Sequence, residues 1–76
     1  MREGYAIRDF HQHGWLQTRT KVEGFDCPVT IWAEEDEQAM LFRKLKDAKA
    51  MLKAVRKDHR RPEQVRILDP RWRVIV

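Results

Sequence analysis

The chain contains no serine, one cysteine, three glycines and three prolines. Hydroxyl nucleophiles are therefore limited to Thr18, Thr20 and Thr30. Cys27 cannot form a disulfide within the chain, and no array of Cys and His has the spacing of a structural zinc site. The scattered glycines form no phosphate-binding loop. These absences argue against catalysis, and we predict no enzyme activity, no cofactor and no resident metal.

Long apolar runs are also missing. No stretch approaches the roughly 18 apolar residues that a membrane span needs. The first ten residues, "MREGYAIRDF", lack the apolar core of a signal peptide. An unpaired thiol is typical of a reducing compartment. The sequence therefore predicts no membrane association and a cytoplasmic protein, working in the cytosol of a bacterial host.

The 76 residues predict one small domain spanning residues 1–76. A hydrophobic content of 42% with three tryptophans favours a folded core over disorder. Apolar and β-branched patterns predict strands over residues 5–11, 15–22 and 25–32. Because Pro28 cannot donate to a sheet, the last of these is expected either at an edge of the sheet or to begin after Pro28. Residues 64–69 and 71–76 read as two more strands.

The middle of the chain predicts a helix. Asp36 can cap its first amides, Pro62 ends it, and a break near residues 43–44 is an alternative. Leucine, alanine and valine recur at steps of three and four at Leu41, Leu45, Ala48, Leu52 and Val55. We therefore expect an α+β fold with one main helix packed on a small antiparallel sheet, in the order β-β-(β)-α-β-β.

Charge is unevenly distributed. Residues 34–37, "EEDE", are all acidic, whereas residues 43–61 carry nine Lys and Arg against Asp47 and Asp58. At about 100° per residue, six of these cations fall within one arc of roughly 100°. They are Lys46, Lys49, Lys53, Arg56, Lys57 and Arg60. Such a stripe suits an acidic partner, although a solvated helix face that only confers solubility has the same composition.

The tryptophans are the second candidate feature. Trp72 is in phase with Val74 and Val76 and is expected in the core. Trp15 and Trp32 are out of phase with the apolar sides of their strands, so they are candidates for exposed partner-binding anchors. Packing in the core is the alternative for both, because tryptophan supplies area that a small domain needs.

Two weaker patterns favour structural roles. His11 and His13 form an HxH pair, but the remaining ligands of a metal site would have to come from distant segments such as Cys27 or His59. The acidic segment 34–37 is explained by the positive start of a helix, and it has no loop of alternating oxygen ligands. We therefore assign neither pattern a metal.

The segment "EDEQAMLFRKLKDAKAML" resembles a pattern in small phage and prophage proteins of unknown function. The matching positions are Ala39, Phe42, Asp47, Ala48 and Leu52, with strands before and after. Lys44 departs from the pattern, since such proteins more often have Ser or Thr there to cap a second helix. The resemblance covers about a quarter of the chain and implies an accessory protein of a mobile element that binds a host component.

Three functions are consistent with these features. The first is a phage or mobile-element accessory protein that binds a host protein or ribonucleoprotein complex and inhibits it sterically, as an anti-CRISPR protein would. The second is direct nucleic-acid binding through the basic stripe, extended by Arg66, Arg71 and Arg73. The third is a structural or assembly protein that pairs through exposed strand edges. The sequence leaves the partner and the oligomeric state open.

Overall fold

A computed structural model of the chain describes residues 3–76, so the first two residues of the predicted domain lie outside the described range. It contains four strands and one α-helix: β1 (Ala6–Asp9), β2 (Gly14–Thr20), β3 (Val29–Ala33), α1 (Leu45–Lys57) and β4 (Val65–Leu68). Two single 3₁₀ turns, Asp36–Gln38 and Pro62–Gln64, precede α1 and β4. The predicted α+β fold is confirmed. None of the described helices is long and apolar enough to cross a membrane.

The four strands form one antiparallel sheet in the order β3-β2-β1-β4. The turn from β1 to β2 is tight, with His13 at φ 59°. Side chains alternate between the two faces of a sheet, so the pairing of residues across strands decides which of them meet α1. The pairing of β2 with β3 shifts register between Leu16 and Thr18, which is a β-bulge.

One face of the sheet packs against α1. Its buried side chains come from three strands and from the apolar stripe of the helix. They are Ile7, Leu16, Val65 and Ile67 on the strands, and Ala48, Leu52 and Val55 on α1. The period of three to four residues in α1 thus places its apolar side on the sheet, as the sequence predicts.

The opposite face carries a second, smaller apolar cluster. Ala6, Trp15 and Leu68 are buried there, with Phe10 and Ala39 packed against them. The guanidinium of Arg8 lies over the rings of Phe10 and Trp15, at 5.2 and 4.9 Å from their centroids. The sheet therefore buries side chains on both faces, although only one face is covered by the helix.

The helix begins at Leu45, as the alternative with a break near residues 43–44 predicts, and not near Asp36 as a single unbroken helix would. The backbone amide and carbonyl of Phe42 bond those of Tyr5 at 2.8 Å, and the Met40 amide donates to the Leu16 carbonyl at 2.8 Å. These bonds hold the preceding segment extended, so α1 begins only after Lys44, which makes no side-chain cap. Asp36 belongs to the separate 3₁₀ turn and does not cap α1, which corrects the predicted start.

The end of the chain forms less of a strand than predicted. Segment 71–76 makes a single bridge to β4, Leu68 to Val74, and two further backbone bonds that join Ile75 and Val76 to Ile67. The Asp69 amide, just after β4, donates to the Arg73 carbonyl. The Asp69 carboxylate accepts the backbone amides of Arg71 and Arg73, both at 2.9 Å, and this curls the chain. The alternation of side chains that predicted a strand is therefore interrupted before the segment pairs with β4.

The curl overturns the predicted position of Trp72. This residue has a positive φ of 68° and is 43% exposed, so it is not a core residue. Its ring meets the Trp15 ring edge to face, with 5.1 Å between the centroids. Residues 25–28 of the predicted strand 25–32 lie outside β3, which begins at Val29 directly after Pro28, and Phe25 is 60% exposed.

A pair of matched substitutions tests this core. Leu52→Ala removes a side chain that is 3% exposed and should lower the free energy of unfolding by about 2–5 kcal/mol. Leu41→Ala makes the same chemical change at a side chain that is 43% exposed, and should cost about 1 kcal/mol or less. Urea unfolding followed by circular dichroism measures both. Equal losses would show that α1 does not cover the sheet through Leu52.

Candidate functional site

Four lysines form a row along the solvent side of α1. Lys46, Lys49, Lys53 and Lys57 follow one another at steps of three, four and four, and all are exposed. We call this row the lysine ridge. At about 1.5 Å rise per residue it extends roughly 16 Å along the helix. The buried stripe of Ala48, Leu52 and Val55 lies on another side of the same helix.

The charges of the ridge are not compensated within the molecule. No hydrogen bond or ion pair joins any of the four lysine side chains to another residue between 3 and 76. Of the two acids nearest in sequence, Asp58 binds Arg19 at 2.7 Å instead. Asp47 is exposed, and at about 100° per residue it lies on a different side of α1 from the ridge. The ridge is therefore a continuous positive surface.

Arg56 differs from the other cations of the predicted stripe. Its Nε and Nη2 atoms donate to the Val65 carbonyl oxygen at 3.1 and 2.8 Å. The guanidinium thus joins the last turn of α1 to the start of β4, and two of its nitrogens already donate within the fold. Arg60 also leaves the stripe, because α1 ends at Lys57 and Arg60 lies beyond it.

The two tryptophans proposed as anchors are not exposed beside the ridge. Trp15 is 4% exposed and belongs to the cluster on the opposite face of the sheet, so it occupies the core position that was the alternative and is not an exposed anchor. Its strand is buried on both faces at this point, which a simple alternation does not anticipate. Trp32 pairs with Leu16 on the helix side and is half-buried, with its ring at 6.0 Å from that of His59.

A buried aspartate links two distant segments near Trp32. Asp9 is 0% exposed, and its Oδ1 atom accepts the backbone amides of His11 at 2.9 Å and Gln12 at 3.3 Å. Its Oδ2 atom lies 2.7 Å from Nε2 of His59. The Arg61 amide donates to Nδ1 of His59 at 2.9 Å, so Nε2 carries the proton and donates to Asp9.

These bonds shift the pKa of Asp9. Burial alone would raise it, but the hydrogen bond from His59 and the amides of Gln12 and His11 outweigh burial and hold the pKa below 3.8. Asp9 is therefore a carboxylate at neutral pH. Asp9 and His59 are 50 residues apart, and no local spacing connects them, so this pair could not be predicted from the sequence pattern.

A cleft of about 610 Å³ opens beside this pair. The turn after β1 forms one wall and the connection from α1 to β4 forms the other, with Trp32 between them. The lining residues are His11, Gln12, Trp32, Asp58, His59, Arg60, Arg61 and Glu63. Both ring nitrogens of His59 already make hydrogen bonds within the protein.

The candidate metal ligands do not converge. Within residues 3–76 the only group of three close side-chain ligands is Glu35, Asp36 and Glu37, whose ligand atoms lie within 4.8 Å of one another. This group is the acidic segment at the 3₁₀ turn, and it includes neither histidine of the HxH pair. Cys27 is exposed in the loop before β3.

Comparison with family models, with curated proteins and with solved structures finds no match to this chain. Function must therefore be argued from the ridge and the cleft themselves.

The Asp9–His59 pair can be tested by pH. Asp9→Asn should lower the free energy of unfolding by about 1–3 kcal/mol at neutral pH, since it leaves a buried network with a missing partner. The pKa of Asp9 is lower in the folded protein than the value of 3.8 for the free side chain, so the ionised carboxylate stabilises the fold above pH 3.8. This stabilisation is lost as the pH falls through the folded-state pKa. The gap between wild type and variant should therefore narrow below about pH 4.

Asp26→Asn, at an exposed position, is the matched control and should leave the pH profile unchanged. Thermal unfolding from pH 2 to 7 is the measurement. A constant gap between wild type and Asp9→Asn at every pH would mean that the Asp9 carboxylate does not contribute as a charge.

Proposed function

We propose that this chain is a binding protein that docks its lysine ridge on an acidic surface of a host protein or ribonucleoprotein complex and inhibits that complex sterically. The supporting observation is the row of four exposed lysines on α1 without an internal partner. An anti-CRISPR-like inhibitor of a phage or other mobile element is one protein of this kind.

The close spacing of the ridge lysines costs the helix some free energy. Like charges three or four residues apart on a helix repel each other by a few tenths of a kcal/mol per pair. Lys46–Lys49, Lys49–Lys53 and Lys53–Lys57 are three such pairs. An acidic surface would relieve this repulsion and release bound counterions, so docking offsets a cost that the isolated protein carries.

A protein partner fits the surface better than a nucleic acid. Single-stranded nucleic acid is usually bound with aromatic rings on which bases stack, and no exposed tryptophan lies beside the ridge. Arginine, which reads bases and grips phosphates with two parallel bonds, is absent from the ridge because Arg56 is bound to Val65. The exposed Glu34, Glu35 and Glu37 would repel a polyanion that wrapped the domain.

The resemblance of residues 39–52 to small phage and prophage proteins supports a host complex as the partner. Two of the matching positions, Ala48 and Leu52, are buried in the core. The resemblance therefore concerns how the helix packs, and the ridge adds the surface that would make contact. We infer that inhibition requires no chemistry by this chain, because covering an acidic site is sufficient to block it.

The proposal is tested by reversing the ridge. The variant Lys49→Glu, Lys53→Glu, Lys57→Glu should bind its partner at least about 100-fold more weakly, taking about 1 kcal/mol for each close charge pair in water. The measurement is affinity capture from nuclease-treated host lysate, followed by titration of the captured complex. The fold should be unaffected, because all three side chains are exposed.

A second variant, Lys21→Glu, Arg43→Glu, Arg71→Glu, makes the same change in net charge at three exposed positions away from the ridge and should bind normally. Capture that survives reversal of the ridge, or that both variants lose equally, would contradict the proposal.

Capture that disappears after nuclease treatment would support nucleic-acid binding instead. In that case affinity for a plain duplex should fall roughly 100-fold between about 50 and 200 mM salt for four phosphate contacts.

A further inference from the structure

The cleft beside His59 is held open by the Asp9 carboxylate. One oxygen of Asp9 fixes the amides of His11 and Gln12, and the other fixes the His59 ring, which in turn holds the Arg61 amide. The buried Asp9 carboxylate therefore holds both walls of the cleft in place in the unliganded protein. A site with walls fixed in this way loses little conformational entropy on binding.

The open side of the cleft carries unpaired cations. The side chains of Arg60 and Arg61 line it and are exposed, and neither makes a side-chain hydrogen bond or ion pair with a described residue. Two acids also line it, but Asp58 is already neutralised by Arg19 at 2.7 Å. Glu63 is the one remaining carboxylate in the lining, so the two guanidinium groups leave the cleft positive.

The remaining wall is aromatic. The rings of Trp32 and His59 meet at 79°, and the Trp32 indole N–H donates to no atom of residues 3–76. A volume of about 610 Å³ is much larger than a single oxyanion needs and lies in the usual range for small-molecule sites. The shape thus suits a ligand with a charged head and a flat ring.

We propose that this cleft binds a small ligand in which a phosphate or carboxylate group is attached to an aromatic ring. The oxyanion binds Arg60 and Arg61, whose forked guanidinium groups match both chemistries. The ring packs against Trp32. The inference is independent of the proposed docking function, because none of the four ridge lysines lines the cleft.

The experiment is an NMR titration of the ¹⁵N-labelled full chain with four probes: adenosine monophosphate, indole-3-acetate, inorganic phosphate and adenosine. The first two carry both features and should give saturable shifts of the Trp32 indole N–H and of the amides of His11, Gln12 and Arg61. Inorganic phosphate should shift the amides but not the indole, and adenosine should not saturate. The nucleotide and indole-3-acetate arms distinguish a phosphate head from a carboxylate head.

Two variants complete the test. Arg60→Gln with Arg61→Gln should weaken binding of the better probe at least about tenfold, because charge-assisted hydrogen bonds are lost. Lys49→Gln with Lys53→Gln should leave it unchanged. Shifts that spread along α1 without saturating, or that persist in the arginine variant, would overturn the cleft proposal. The ridge proposal would be unaffected, since its own test uses a different variant and a different partner.

Discussion

The buried carboxylate of Asp9 is the interaction on which the rest of the molecule depends. A charge removed from water must be paired and hydrogen-bonded, and Asp9 meets this condition with two backbone amides and one imidazole. Those donors come from the turn after β1 and from the connection between α1 and β4. The helix ends at Lys57, and two residues later His59 reaches the Asp9 carboxylate at the end of β1. Asp9 determines the shape of the cleft, since its bonds fix both walls.

Polar bonds of this kind support a domain whose apolar core is thin. A chain of this length buries only about 60% of its unfolded surface, so the loops cannot rely on apolar packing alone. Three buried or partly buried polar groups take that role at three junctions. Asp9 holds the connection after α1, Arg56 holds the helix end to β4, and Asp69 organises the turn before segment 71–76. The pKa of Asp69 is lowered as well. The hydrogen bond from the Arg73 amide lowers it most, burial opposes this, and the Arg71 amide and the Arg73 side chain lower it further.

Features that depend on the periodic spacing of apolar residues could be predicted from the sequence. Features that depend on contacts between residues far apart in the chain could not. The apolar stripe of α1, the α+β class and the strands around Ile7, Leu16 and Ile67 follow from spacing alone. The start of α1 does not, because bonds from Phe42 to Tyr5 keep the preceding residues extended. The position of Trp15 was left open and that of Trp72 was wrong for related reasons: the sheet is covered on both faces at Trp15, and the Asp69 carboxylate bends the chain at Trp72. Of the predicted binding residues, the four lysines lie together, whereas Arg56 is engaged inside the fold and the His59 cleft was not foreseen.

Arginine and lysine side chains make different contacts in this protein, and the difference concerns the role of the lysine ridge. Arg19, Arg56, Arg66 and Arg73 all donate side-chain hydrogen bonds within the molecule, and Arg8 lies over two aromatic rings. All six lysines are exposed, and none is paired among the described residues. This division follows from chemistry, because a planar guanidinium loses less on burial than a strongly hydrated ammonium. Solubility would explain lysines mixed with acids over the surface. Four of the six lysines share one side of α1, whereas four of the twelve acids are adjacent at residues 34–37, and this segregation is the observation that supports the proposed acidic partner.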